Sequence, residues 1–223
     1  VELVLAAAEA FRRAGCAVAL ALVAPPGGLL AGHAEGARWR VLRRLAAAGI
    51  ALHPARARGT PAGLELVDAG RDEPTTLPAD CVIAATGAHA PPWTQSSGLA
   101  CDAAGWVMVD AGHRSVSHPF IHAAGDVCTR ADPGFARSGV HAVHAGPVLA
   151  ANLLAALAGG PASAPVRSYR PRPRSLYLIA SGPRHAIASW GRWSAEGRWV
   201  WRWKDRIDRG FIARHRRAAI VPV

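Results

Sequence analysis

The first fifty residues constrain the fold more than any other stretch. Residues 1–14 are rich in Ala, Leu, Glu and Arg, a helix-forming mixture, and Gly15 supplies the stop. Ala17 to Ala24 (AVALALVA) is an apolar run of strand length, broken by Pro25-Pro26-Gly27-Gly28. Glu35 to Ala48 then places Trp39, Leu42, Leu45 and Ala46 at helical spacing. Gly49 closes that segment, and Ile50-Ala51-Leu52 begins a second strand. Helix, strand, helix, strand with short links implies parallel strands covered by helices. The expectation is an α/β fold with a doubly wound parallel sheet.

The pattern then changes. Residues 53–80 carry short apolar patches, such as Leu64 to Val67, among Gly, Pro, Thr and Asp. They read as a small antiparallel meander set into the α/β unit. Asp80 to Ala85 (DCVIAA) reads as a buried strand ended by Thr86-Gly87, and Pro91-Pro92 turns the chain out of the sheet. Trp106-Val107-Met108-Val109 is a further strand, and Pro119 to Ala123 is expected as the last strand before Gly125-Asp126. Ser138 to Ala158 is a long Ala-rich helix stopped by Gly159-Gly160-Pro161. Beyond Pro165, Ser175 to Ser181 and His185 to Trp190 read as strands. Arg198 to Trp203 (RWVWRW) alternates with period two and reads as a third. Lys204 to Arg217 reads as a helix with Ile207, Phe211, Ile212 and His215 on one side, and no internal repeat is found.

Composition narrows the function classes. A hydrophobic content of 51% supports a real core, and 18% charged residues argue against disorder. The net charge of +11 suggests nucleic acid until it is located. Residues 1–164 hold twelve Arg and twelve acids; residues 165–223 hold fourteen Arg or Lys and three acids. A terminal basic block suits an anionic surface or a solvated basic face. No specific nucleic-acid partner is expected. Cys16, Cys81, Cys101 and Cys128 form no CxxC, so buried cytosolic thiols are expected in place of zinc or a disulfide framework. Ten histidines include His141 and His144 on one helix face, but none has an Asp, Glu or Cys partner at ligand spacing, and no metal site is expected. GxSxG, HExxH and GxxxxGK are absent. No spanning helix is expected. Val1-Glu2-Leu3-Val4-Leu5 lacks both a Met and a signal-peptide pattern and reads as a start inside an element, so a C-terminal fragment is expected.

Three stretches in order carry a resemblance: Ala85-Thr86-Gly87-Ala88; Ser97-Gly98-Leu99 with Asp102, Gly105-Trp106-Val107, Val109-Asp110 and Arg114-Ser115; and His122-Ala123-Ala124-Gly125-Asp126-Val127. Together they resemble the FAD-dependent pyridine nucleotide-disulfide oxidoreductases. The nearest likeness is to type II NADH dehydrogenase-like proteins, in the version fused to selenide, water dikinase. Ala188-Ser189-Trp190-Gly191 and Trp201 to Arg209 are similar to that subgroup. The resemblance implies an incomplete doubly wound FAD/NAD(P)-binding fold of Rossmann type with a small C-terminal α+β subdomain. The implied division is residues 1–87 as a partial NAD(P)-binding domain lacking its first strand and Gly-rich turn, 88–164 as the C-terminal part of an FAD-binding domain, and 165–223 as a basic, Trp-rich subdomain.

The implied cofactors are FAD and NAD(P)H, and the implied residues touch them without doing the chemistry; no catalytic residue is assigned. Gly125 lets the backbone approach the flavin, Asp126 accepts bonds from ribityl hydroxyls, and Val127 completes the turn; the plainer reading of Gly-Asp is an Asx turn at a strand exit. Gly139 and Val140 open the long helix, whose N-terminus favours negative charge on the reduced ring, or the helix only packs. Ala145 stands where relatives tend to carry Gln. Thr86 and Gly87 are further implied cofactor-binding residues. Glu2 either faces the nicotinamide or favours its own helix dipole, and the strand ending at Val23-Ala24 lacks the ribose carboxylate. The resemblance further implies a small-molecule electron acceptor such as quinone, an upstream domain, and a cytoplasmic protein peripheral to the inner face of the membrane through residues 198–217. The chain by itself is expected to hold FAD poorly. Two other classes remain open: a truncated, non-catalytic relative, or a basic surface-binding module using residues 165–223 on membrane or nucleic acid.

Overall fold

The structure is a computed structural model and describes residues 1–67, 73–130, 137–159 and 167–218. The helix stop at Gly160-Pro161 and the boundary at 164–165 lie outside the described residues. The chain forms two compact units, Val1–Ile83 with Arg174–Val223, and Ala84–Pro173.

In the split unit, α1 (Glu2–Arg13) ends where Gly15 takes φ +67, a conformation that favours glycine. Strand β1 (Ala21–Ala24) pairs in parallel with β2 (Ala51–Pro54), and α2 (Glu35–Ala47) makes the crossover. This is the helix, strand, helix, strand order of the sequence. A meander follows, with β3 (Arg56–Thr60), β4 (Gly63–Val67) and β5 (Thr75–Pro78) antiparallel in that order.

The last fifty residues return to this same core. Strands β8 (Leu176–Gly182), β9 (His185–Trp190) and β10 (Trp193–Gly197) form an antiparallel sheet, followed by α5 (Arg198–Ala218). Alternate residues of a strand face opposite sides. Ile179 and Ile187 therefore join Leu5, Ala37, Val41, Leu45 and Ile50 in one core, while Ala186 and Ala188 receive the fully buried Val200 of α5. The sheet is the middle layer between α1 and α2 on one side and α5 on the other. Burying a side chain such as Ile187 contributes about 1.5–3 kcal/mol.

In the central unit, α3 (Pro92–Ser96) is a short helix tied down by Thr94, whose hydroxyl lies 2.7 Å from the Gly105 carbonyl. Strand β6 (Val107–Val109) pairs in parallel with β7 (Cys128–Arg130), and α4 spans Gly139–Gly159.

Three strand expectations are overturned. Residues 80–85 form no strand: Val82 and Ile83 are exposed, and no strand among the described residues offers them a ladder. Pro119 to Ala123 is irregular apart from one bridge at His122, and the strand lies after the Gly-Asp turn, at Cys128–Arg130. Arg198 to Trp203 begins α5, because Trp199 and Trp203 stack one helical turn apart while Val200, with the half-buried Trp201 beside it, turns inward. Finally, α4 carries no charged residue and, with a mean hydropathy of 1.5 over eighteen residues, is long and apolar enough to cross a membrane by length and composition. Its buried His141 and Asn152, however, hydrogen-bond within the central unit.

Candidate functional site

The Gly125-Asp126-Val127 stretch is a single 3-10 turn between an extended Ala124 and β7. Its entry is fixed from beneath. After β6, the Asp110 carboxylate accepts bonds from the Gly112 and Arg114 amides, at 2.8 and 3.0 Å, and bends the chain back. The bend places His113, at φ 65, wholly inside the unit. His113 Nδ1 lies 3.0 Å from the Ala123 carbonyl, so that nitrogen carries the proton, and Ala123 N–H returns a 3.0 Å bond to the His113 carbonyl. Burial pushes His113 below the usual histidine range and keeps the ring neutral.

Past this anchor, Gly125 takes φ +76, and a Cβ there would stand 3.7 Å from Ala142 of α4. The turn thus lies against the first turns of α4. Asp126 is exposed and makes no hydrogen bond or ion pair among the described residues. At the start of α4, the Ser138 carbonyl accepts the Ala142 N–H at 3.0 Å, and the Arg137 guanidinium lies 4.4 Å over the buried Trp106 ring. Gly139 and Val140 open the helix, and nothing stands within 4 Å of the Cβ position at Gly139. A free carboxylate beside an open helix N-terminus matches the donor and acceptor needs of a polyhydroxyl chain attached to a ring that gains negative charge. The residues present fit the ribityl and pyrimidine end of FAD on that ground.

Two clamps orient α4. His141 Nδ1 lies 2.8 Å from the Tyr169 hydroxyl, while Tyr169 accepts a 2.9 Å bond from Arg130 and donates one of 2.8 Å to Ala111. Further along, Asn152 donates to the Gly112 and Arg167 carbonyls, both at 2.9 Å, and accepts the Arg167 N–H at 2.7 Å. Arg130, Tyr169 and Asn152 escaped the sequence reading, and His141 stood there only as a neighbour of His144 on one helix face. The one legible signal was a lone Asn in an uncharged apolar helix.

The other expected positions are distributed. Thr86 and Gly87 belong to the same unit, in an exposed irregular stretch with Gly87 at φ +89. Glu2 belongs to the other unit, where its Oε1 accepts the Ala180 N–H of β8 at 2.6 Å. Ala145 is fully buried. Burial also pushes the Cys128 thiol up to about 11. Among the described residues no group of three or more His, Cys, Asp or Glu gathers as a metal site.

Comparison with solved structures gives the fold. The chain is similar to a FAD-dependent pyridine nucleotide-disulphide oxidoreductase from Desulfovibrio vulgaris, with a TM-score of 0.61, 20% identity, and coverage of 85% of this chain and 45% of that one. It is also similar to an engineered water-forming NADPH oxidase bound to NADPH, with a TM-score of 0.58, 17% identity, and coverage of 83% and 40%. A third similarity is to Fdr9, with a TM-score of 0.53, 22% identity, and coverage of 82% and 50%. The chain thus spans half or less of the length of these structures. No match was found among curated protein sequences. The family model for pyridine nucleotide-disulphide oxidoreductases matches residues 4–147, a stretch that takes in both the parallel β1–β2 pair and the Gly125–Val127 turn. The chain belongs to the pyridine nucleotide-disulphide oxidoreductase family.

Proposed function

We propose that the chain supplies one end of the FAD site and the NAD(P)H side of a flavin-dependent oxidoreductase of the NADH dehydrogenase-like kind. The observation that carries this is Asp126: an exposed, unbonded carboxylate on a glycine turn that abuts the start of α4. FAD supplies the redox chemistry, taking hydride from NAD(P)H and passing electrons to a second acceptor, for which we propose a quinone. The chain's own residues bind and orient. Asp126 would accept hydrogen bonds from ribityl hydroxyls, the Gly139 and Val140 amides would face the ring edge that becomes negative, and His113 holds the turn in place through Ala123.

Hydrogen bonds to a charged acceptor contribute about 1.5–3 kcal/mol each. Asp126→Ala should therefore weaken FAD binding by at least tenfold, read as flavin fluorescence quenching on titration of the chain with FAD. Quenching that is present and equal in the parent and variant chains sinks the reading and leaves the non-catalytic relative in its place.

A second reading rests on α5. Its exposed Trp199, Trp203 and Ile207 run beside Arg198, Arg202 and Arg206, an arrangement suited to the surface of an anionic bilayer. Peripheral membrane contact through residues 198–217 is tested by cosedimentation with phosphatidylglycerol vesicles.

A further inference from the structure

A charged cluster lies between α2 and the β8–β10 sheet, within the split unit. Ser181 Oγ of β8 and His185 Nδ1 of β9 are 2.8 Å apart. His185 Nε2 is 3.8 Å from Glu196 Oε2 of β10. The other oxygen of Glu196 is bound by Arg43 of α2 and lies 3.6 Å from Arg40 Nε. Arg44, on the same helix, is a further cation acting on His185. The side chains of His185 and Glu196 are 19% and 17% exposed, so the cluster is largely shielded from water. Glu196 Oε2 and the Nε atoms of Arg40 and Arg44 are buried without a hydrogen bond among the described residues.

The line of Ser, His and Glu has the order of a hydrolytic relay, but Ser181 is buried and offers no path to a substrate. What the cluster does hold is a seam. Around it, Arg40 Nη1 donates to Ser194 Oγ at 2.8 Å, and the Ala34 N–H at the head of α2 donates to Ser189 Oγ at 3.0 Å. Arg40 and Arg43 share one carboxylate, and that carboxylate fastens α2 to β10.

We propose that His185 and Glu196, with Arg40, Arg43 and Arg44, form a proton-operated latch that fastens α2 to the sheet while His185 is neutral and releases it when His185 takes up a proton. A neutral ring that accepts the Ser181 hydroxyl at Nδ1 carries its proton on Nε2, facing Glu196. A second proton must go to Nδ1, where it ends the bond from Ser181 and adds a further cation to a shielded cluster in which two arginines already share one carboxylate. Burial, then Arg44, hold His185 below the usual histidine range, with Glu196 opposing them. The folded unit thus binds this proton less readily than the unfolded chain. The stabilisation is complete above a pH of about 6.5 and is lost as the pH falls through that value. All of these residues lie outside the unit that carries Asp126, so the inference is independent of the flavin reading.

The test is amide hydrogen exchange of the full chain at pH 7.5 and 5.5, corrected for intrinsic rates, with peptides from α2 and β10 followed. His33, half-buried against Tyr177 at 4.6 Å and also held low by desolvation, is a competing titration in this unit. The expected result is a loss of protection of about three- to tenfold at pH 5.5 in the parent chain and in His33→Gln, and a loss below about twofold in His185→Gln. An equal loss in the parent chain and His185→Gln overturns the latch. If His185→Gln does not fold, nuclear magnetic resonance titration of the His185 ring in the parent chain decides. A midpoint below about 6.5 that tracks the loss of protection supports the latch, and a midpoint at or above 6.5 overturns it.

Discussion

Asn152 is the sharpest place to test the account of the central unit. It sits inside α4 with three hydrogen bonds that fix the helix to the Asp110–His113 bend and to Arg167. Replacing it by Leu keeps the volume and removes the polar group, so packing changes little. The Gly112 carbonyl, bonded in the interior, loses its partner at a cost of about 1–3 kcal/mol. The carbonyl and N–H of Arg167 belong to an exposed residue that water can reach, so each adds about 0.5 kcal/mol. The total is about 2–4 kcal/mol. Because the chain has two compact units, a single unfolding transition is not a safe measure. Native-state hydrogen exchange of the α4 amides reads the unit directly. At about 1.4 kcal/mol per factor of ten, they should exchange roughly 30 to 1,000 times faster in Asn152→Leu. An acceleration of less than about fivefold, or roughly 1 kcal/mol, refutes the clamp.

Two further outcomes follow from the turn. Gly125→Ala should destabilise the central unit by about 1–2 kcal/mol through its φ of +76 alone, because the added Cβ meets Ala142 at an ordinary 3.7 Å; exchange of the β7 amides checks this. The thiol-specific reagent DTNB at pH 8 should modify the exposed Cys16 and Cys81 and spare Cys128, whose thiol is buried and raised to about 11; peptide masses after labelling decide, and Cys128 reacting as fast as Cys81 contradicts its burial.

The sequence disclosed what depends on neighbours in the chain. The α1–β1–α2–β2 order, the β3–β5 meander and the β8 and β9 strands rest on local periodicity and on Gly and Pro breaks, and they appear where those signals lie. Six residues were too few to separate a period of two from a period of 3.6 at RWVWRW, where the adjacent Val200 and Trp201 pack on the core. The apolar run at 81–85 reads as a strand by composition, yet a strand also needs a ladder, which no local pattern reveals. The Gly125–Val127 turn was legible as a turn beside a strand, although the strand follows it. The clamps were not legible. His113 meets Ala123, and His141 meets Tyr169, through bends whose geometry is decided by hydrogen bonds across ten to thirty residues.

The three-layered split unit also bears on how the chain is made. The apolar faces of α1 and α2, with Leu5, Val41, Leu45 and Ile50, are covered in part by Ile179 and Ile187. A ribosome adding about 5–20 residues per second completes α2 roughly seven to thirty seconds before β9 emerges. Throughout that interval the central unit, contiguous in sequence, is free to fold, while the first eighty residues wait with part of their core uncovered. A nascent chain stalled before residue 187 is therefore the form of this protein most exposed to chaperone binding and to aggregation.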